Sequence, residues 1–193
     1  AIVLVIIGVI LGGVIKGQEL VTNAKIKKLY REYQQVEFAY FSYIDRYNDK
    51  PGDDDRAAGA VPASTSTSKE DGVIEGTWNS TTTTDENVVF WAHLRDAGFW
   101  KDGETTLTTI PTNTFDSDIN VTTTVATTNV VFNFAAGNDL VCFSAIDGDL
   151  ADALDAQFDD GSATAGDIQG GTAIGTAAAY AGGTDSIVCI DMD

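Results

Sequence analysis

The sequence contains few of the residues on which most catalytic and metal centres depend. Its 193 residues include a single histidine and only two cysteines. A Ser/His/Asp or Cys/His catalytic centre would have to use His93, which has no nucleophile motif near it. A zinc site is not expected either, because Cys142 and Cys189 are far apart and no Cys-x-x-Cys spacing occurs. Glycine-rich phosphate loops and haem-attachment motifs are absent as well, so we predict that the protein is not an enzyme and requires no cofactor.

Positive charge is also scarce, and its distribution is uneven. The chain has 11 Lys and Arg against 29 Asp and Glu, which gives a net charge of −18. No Lys or Arg follows Lys101. Because nucleic acids and anionic lipids are bound through Lys and Arg, we expect neither as a partner of the C-terminal part. Its acidity instead favours a strongly hydrated surface, or sites for hard cations.

The two cysteines lie in a part of the chain that is rich in threonine, glycine and aspartate. Such a composition is typical of proteins from oxidising compartments, where cysteines form disulfides. We therefore predict one disulfide between Cys142 and Cys189. Two buried free thiols are the alternative.

Residues 1–15 read AIVLVIIGVILGGVI and contain no charged side chain. As a helix they would be about 22 Å long, which is shorter than the roughly 30 Å hydrocarbon core of a bilayer. A signal-peptide core would need a basic flank, and a fully buried helix would need more surrounding protein than the chain offers. We expect instead a membrane helix whose first residues lie upstream of Ala1.

The helical pattern continues beyond this run to about Tyr47. Apolar residues recur at spacings of three to five, as in an amphipathic helix, at Leu20, Ala24, Leu29, Tyr33, Val36, Tyr40, Ile44 and Tyr47. The turn Lys50-Pro51-Gly52 is expected to end the helix. Glycine destabilises a helix by about 1 kcal/mol relative to alanine, so the helix is predicted to stretch or melt locally at Gly8, Gly12 and Gly13.

Four segments together resemble one protein family. They are residues 1–27, from AIVLVIIGVILGGVIKGQELV to NAKIK; YNDKPGDD at 47–54, similar to Y-x-x-x-P-G-D; FWAHLRDAG at 90–98, similar to x-W-x-H-L-x-x-A-G; and LADALDAQFDDG at 150–161. In these segments the chain resembles the type IV pilins and the pseudopilins of type II secretion. The family's processing site and its buried glutamate have no counterpart here, and we expect them upstream of Ala1.

The resemblance implies an α+β, pilin-like fold. A long N-terminal helix over residues 1–50, hydrophobic and then amphipathic, would pack on a small antiparallel sheet. Residues 1–15 would lie in the membrane or the filament core, and residues 51–193 would form an acidic globular head with Thr-rich loops and a C-terminal disulfide loop.

The function that the resemblance implies is that of a major pilin, a structural subunit of an extracellular filament with a role in adhesion or motility. A prepilin peptidase and the assembly machinery would act on an inner-membrane precursor, and the product would be a helical homopolymer on the bacterial surface. The apolar residues of the filament core would be Ile2, Val3, Leu4, Val5, Ile6, Ile7, Val9, Ile10, Leu11, Val14 and Ile15. The alternatives are a secretion pseudopilin, or a membrane-tethered calcium- or glycan-binding module that never polymerises.

The head is expected to contain two short helices and several strands. One helix is predicted over 85–100, with Asp85 at its N-cap and Gly98 at its end. The other predicted elements are a surface loop at 62–84, strands at 121–125, 129–134, 140–143 and 187–190, and a helix at 147–158. The disulfide would then join the last strand to a middle one.

The acidic clusters are the segments best suited to bind a cation. Calcium prefers six to eight oxygen ligands on flexible loops, and Asp155, Asp159 and Asp160 are the candidate ligands. No cluster has EF-hand spacing, and a solvated acidic face is the competing interpretation.

Two N-glycosylation sequons are present, at Asn79-Ser80-Thr81 and Asn120-Val121-Thr122. The hydroxyls of Ser80, Thr81, Thr82, Thr83 and Thr84 are candidate sites for O-linked sugar. The large Thr-rich head and these sites favour a surface pilus over a pseudopilin.

Overall fold

The computed structural model describes residues 2–55, 70–124 and 132–192. Within these ranges the chain forms three helices and one four-stranded antiparallel sheet. The elements are α1 (Ile2–Tyr47), α2 (Glu86–Asp96), β1 (Ile119–Thr123), β2 (Asp139–Asp147), α3 (Gly148–Phe158), β3 (Ile168–Gly171) and β4 (Asp185–Asp191). The strands lie in the order β1-β2-β4-β3. A long helix with a small antiparallel sheet is an α+β arrangement, which confirms that part of the prediction.

Helix α1 is one helix of 46 residues that continues through all of its glycines. It ends at Tyr47, where Asn48 adopts a positive φ and donates its N–H to the Ile44 carbonyl, ahead of Pro51. The predicted length and end are therefore confirmed. The apolar spacing begins at Leu20, but α1 is buried against the head only from Ile26 onward. Leu20, a predicted member, is 72% exposed.

The core lies between the second half of α1 and the sheet. Apolar residues of α1 face the inner side of β1, β2 and β4, and α3 closes one end. There the rings of Tyr30 and Phe158 stack with centroids 3.8 Å apart. The most deeply buried side chains include Leu29, Tyr40, Phe90, Trp91, Phe143 and Leu154.

The predicted disulfide is present. Cys142 of β2 and Cys189 of β4 stand opposite each other in the antiparallel register, and their sulfur atoms are bonded. Both residues are fully buried among Phe132, Phe134 and Leu140. The pairing joins the last strand to a central one, as expected, and excludes the alternative of two free thiols.

Two predictions for the head are wrong in part. In the proposed strand at 129–134, residues 129–131 lie outside the described residues, and Phe132–Phe134 form a turn and loop. In the proposed surface loop at 62–84, residues 62–69 also lie outside them, but Ile74 is fully buried and its N–H donates to Thr123 Oγ1 at 2.8 Å. This segment therefore contributes to the core.

Strand β3 was not predicted, because half of it is glycine. A Cβ on Gly170 would lie 2.5 Å from a ring carbon of Tyr180, and one on Gly171 would lie 2.5 Å from the Thr176 carbonyl oxygen. β3 therefore needs glycine where this segment crosses it. As a result the strand lacks the β-branched residues that would have predicted it.

Helix α2 begins and ends close to the predicted positions. Asp85 occupies the N-cap position, but its side chain makes no capping hydrogen bond and accepts instead from the Ser80 hydroxyl at 2.6 Å. After the helix, Gly98 has a φ of 81° and the Phe99 N–H donates to the Leu94 carbonyl. Gly98 therefore ends α2 as expected.

Candidate assembly surface and acidic clusters

The first half of α1 extends away from the head with its apolar side chains in solvent. Every side chain that the structure describes from Val3 to Lys25 is exposed. Ile10, for example, is 60% exposed. Of the predicted filament-core residues, the exposed ones are Val3, Ile6, Ile7, Ile10, Leu11 and Val14. The side chains of the other members lie outside the described set, namely Ile2, Leu4, Val5, Val9 and Ile15.

Such a surface is unusual for a protein that remains alone in water. Burial of apolar area is worth roughly 25 cal/mol per Å², and monomeric proteins rarely expose large contiguous apolar patches. Within the described part of the chain, no helix is both long enough and apolar enough to cross a membrane. Because its described apolar side chains are exposed, the first half of α1 is a candidate surface for association.

The second half of α1 is anchored to the head by buried tyrosine hydroxyls. Tyr33 donates to the Asp191 carbonyl at 2.6 Å, and Tyr40 donates to Asp139 Oδ2 at 2.5 Å. The Nζ of Lys50, just after the helix, lies 2.6 Å from the same carboxylate oxygen. Because Asp139 is fully buried, its charge depends on these partners, and they fix the stem of α1 to the sheet.

The turn after α1 is held by α2. Gly52 has a φ of 97°, and a Cβ there would lie 2.6 Å from the Glu86 carbonyl oxygen, so only glycine fits. Its N–H donates to Nδ1 of His93 at 2.8 Å. His93 is buried and stacks on Tyr43 with ring centroids 5.7 Å apart. The Pro-Gly-Asp segment and the Trp-x-His-Leu segment thus meet in space, and His93 serves as a hydrogen-bond acceptor at their contact.

The structure brings the predicted calcium ligands together. One carboxylate oxygen each from Asp155, Asp159 and Asp160 lies within 4.8 Å of the others. Asp155 accepts from the Gly161 N–H at 2.8 Å and from the Tyr180 hydroxyl at 3.2 Å. Burial raises the pKa of Asp155 in spite of these hydrogen bonds. The three acids therefore already organise their own loop, and calcium binding here stays a prediction.

A second acidic group was not predicted as a unit. Asp49, Asp54 and Glu70 each place an oxygen within 4.8 Å of the others. Asp53, the neighbour of Asp54 in the sequence, does not join this group, because its carboxylate accepts the N–H groups of Asp71 and Gly72. The group is formed by folding of the 70–72 segment onto the end of α1, and no sequence spacing signals it.

The candidate glycosylation sites differ in accessibility. Asn79 and the hydroxyls at 81–83 are exposed, and Thr84 is half-buried. Asn120 lies inside β1 and is only 4% exposed. A sugar on Asn120 would have no room in this fold, so that prediction is not supported by the geometry.

No family model, curated protein or solved structure matches the chain.

Proposed function

We propose that the chain is a structural subunit, of the major pilin type, of a type IV pilus-like extracellular filament. The observation that carries the proposal is the exposed half of α1, a helix rich in isoleucine and valine whose described side chains are not buried against its own head. When identical helices bundle, each copy covers the apolar side chains of its neighbours. Bundling therefore removes much of this apolar surface from water, which is favourable. The pilin-like segments support the same function.

Assembly would follow from the geometry of the two parts. The helices would form the filament core, and the acidic heads would face water. Copies related head to tail make a contact that does not close, so the assembly grows as a helical fibre. Before assembly, the same apolar segment would reside in the inner membrane, where the prepilin peptidase and the assembly machinery would act on the precursor.

The direct test is to place a charge in the proposed filament core. The variant Ile10→Asp should abolish filaments, because an unpaired carboxylate in an apolar bundle costs several kcal/mol. The head should stay folded with its disulfide, because Ile10 makes no contact with it. Filaments are scored by electron microscopy of material sheared from cells, with mass spectrometry of the same fraction and a non-reducing gel for the disulfide.

Gln18→Asp is the matched control, because it adds the same charge to an exposed polar position of the same half. Filaments of Ile10→Asp at the wild-type level would overturn the core-packing proposal. A wild-type chain that stays in the membrane without fibres would favour a pseudopilin or a tethered module.

A further inference from the structure

A groove of about 450 Å³ lies between the outer face of α1 and the segment that follows α2. Arg31 and Phe38 line it from α1, and Phe99, Trp100 and Lys101 line it from the head. Phe38 is 72% exposed, which is high for a large aromatic side chain. Aromatic residues and arginine are the types most enriched in protein interfaces. The groove therefore has the composition of a contact surface.

The two cations of the groove are not neutralised by the chain itself. Within the part of the chain that the structure describes, Arg31 and Lys101 form no ion pair and no side-chain hydrogen bond. Arg95 on α2 shows the contrast, because it is buried and paired with Asp102. The groove thus presents two positive charges on a molecule whose net charge is −18.

A surface of opposite charge lies on α3 and at the start of β4. Asp149 and Asp152 of α3 and Asp185 at the start of β4 are exposed and form what we call the α3 acidic edge. None of these acids pairs with a Lys or Arg among the described residues.

Among the described residues, the acidic edge of one molecule forms no ion pair with its own groove. α3 contacts α1 at Tyr30, which is about 100° around the helix from Arg31. We propose that the groove receives the α3 acidic edge of a second copy of this chain. The proposal rests on the proposed self-assembly and specifies one of its contacts. Since every copy carries both surfaces, the contact is heterologous and propagates along a fibre.

A charge swap tests the contact. Lys101→Glu should lower the yield of filaments about tenfold, the effect of a change of about 1.4 kcal/mol in association free energy. Asp152→Lys should lower it similarly, and the double variant should restore it. Lys27→Glu is the matched control, because Lys27 is an exposed cation of α1 that does not line the groove. Its filaments should stay near the wild-type yield.

The outcomes separate the two proposals. Wild-type yield in Lys101→Glu, or no recovery in the double variant, overturns the groove contact while the filament proposal stands. If the wild type forms no fibres, sedimentation of the full chain in detergent at low salt decides. Concentration-dependent oligomers that are lost in Lys101→Glu and regained in the double variant support the groove contact without a filament, and a chain that stays monomeric overturns the groove contact.

Discussion

The two halves of α1 belong to one continuous helix but have opposite environments. The first half, up to Lys25, is the more apolar, yet its described side chains are exposed. The second half, from Ile26 to Tyr47, is amphipathic, and its apolar face is buried, with Val36 at 0% exposure. Whether an apolar side chain of α1 is buried thus depends on whether another surface covers it, and not on its hydrophobicity alone. In the proposed filament, other copies of the chain would cover the first half.

The polar contacts of the two halves differ in the same way. In the described part of the exposed half, Lys16 and Glu19 form an ion pair at 2.7 Å in solvent, which contributes little to stability. In the packed half, the hydroxyls of Tyr33, Tyr40 and Tyr43 bond to groups of the head and of the turn after α1. The packed half is therefore a fixed stem, which leaves the exposed half free to associate.

Loss of the disulfide should affect only the packed half and its sheet. Replacing Cys142 and Cys189 by alanine should lower the free energy of unfolding of the head by about 4 kcal/mol, because the bond closes a long loop in the unfolded chain. Urea unfolding in mild detergent measures the change, and wild type with reductant is the control. A change close to zero would contradict the role assigned to this bond.

A matched pair of leucines compares the halves most closely. Leu29→Ala should lower the free energy of unfolding by about 3 kcal/mol, because Leu29 is fully buried. Leu20→Ala should change it by less than about 0.5 kcal/mol, because Leu20 is exposed. Thermal unfolding in detergent measures both variants. Equal losses would show that the first half is also packed on the head.

The turn that ends the packed half can be weakened at His93. His93→Leu removes the acceptor of the Gly52 N–H and should destabilise the head by about 2 kcal/mol, the cost of a buried unpaired donor. His93→Asn retains an acceptor near the position of Nδ1 and should cost less. If leucine were tolerated better than asparagine in the same unfolding assay, packing and not the hydrogen bond would hold the turn.

Acidification should produce the smallest change, and it should act through the head. Burial raises the pKa of Glu32, of Asp53 and of Asp155. The native state therefore binds more protons than the unfolded state at pH values above the ordinary carboxyl range, and stability rises as the pH falls from neutral toward about 5. The thermal midpoint of the head, followed by near-UV circular dichroism, should increase over this interval. A steady decrease would contradict the burial of these carboxyls.

The direction should reverse at lower pH because of Asp102. Burial acts to raise the pKa of this carboxyl, but hydrogen bonds from Arg95, Trp100 and the Glu104 N–H outweigh it and lower the pKa to about 2. The stability that Asp102 contributes is thus present above about pH 4 and is lost as the pH falls toward 2. Asp102→Asn should lack this acid-side decline.

Local patterns were sufficient to predict α1 and its end. Apolar spacing predicted a helix to Tyr47, and the Pro-Gly turn predicted its end. The paired cysteines predicted the disulfide. The helix and its end depend on short stretches of sequence, and two cysteines allow only one pairing. These features could therefore be predicted without a structure.

Features that depend on contacts between distant segments could not be predicted. The apolar spacing on α1 begins at Leu20, but spacing alone does not show which of these residues the head covers. β3 was missed because the crossing segment requires its glycines. The bond from Gly52 to His93 and the groove at Phe38 arise only when the end of α1 and the segments around α2 are brought together.

The most direct measurement is a cryo-electron microscopy reconstruction of fibres sheared from cells that produce this chain. The account predicts fibres with the apolar residues 3–15 packed around the axis against other copies and with the heads outside. Fibres in which the first half of α1 lies at the surface, or in which the heads form the core, would contradict it.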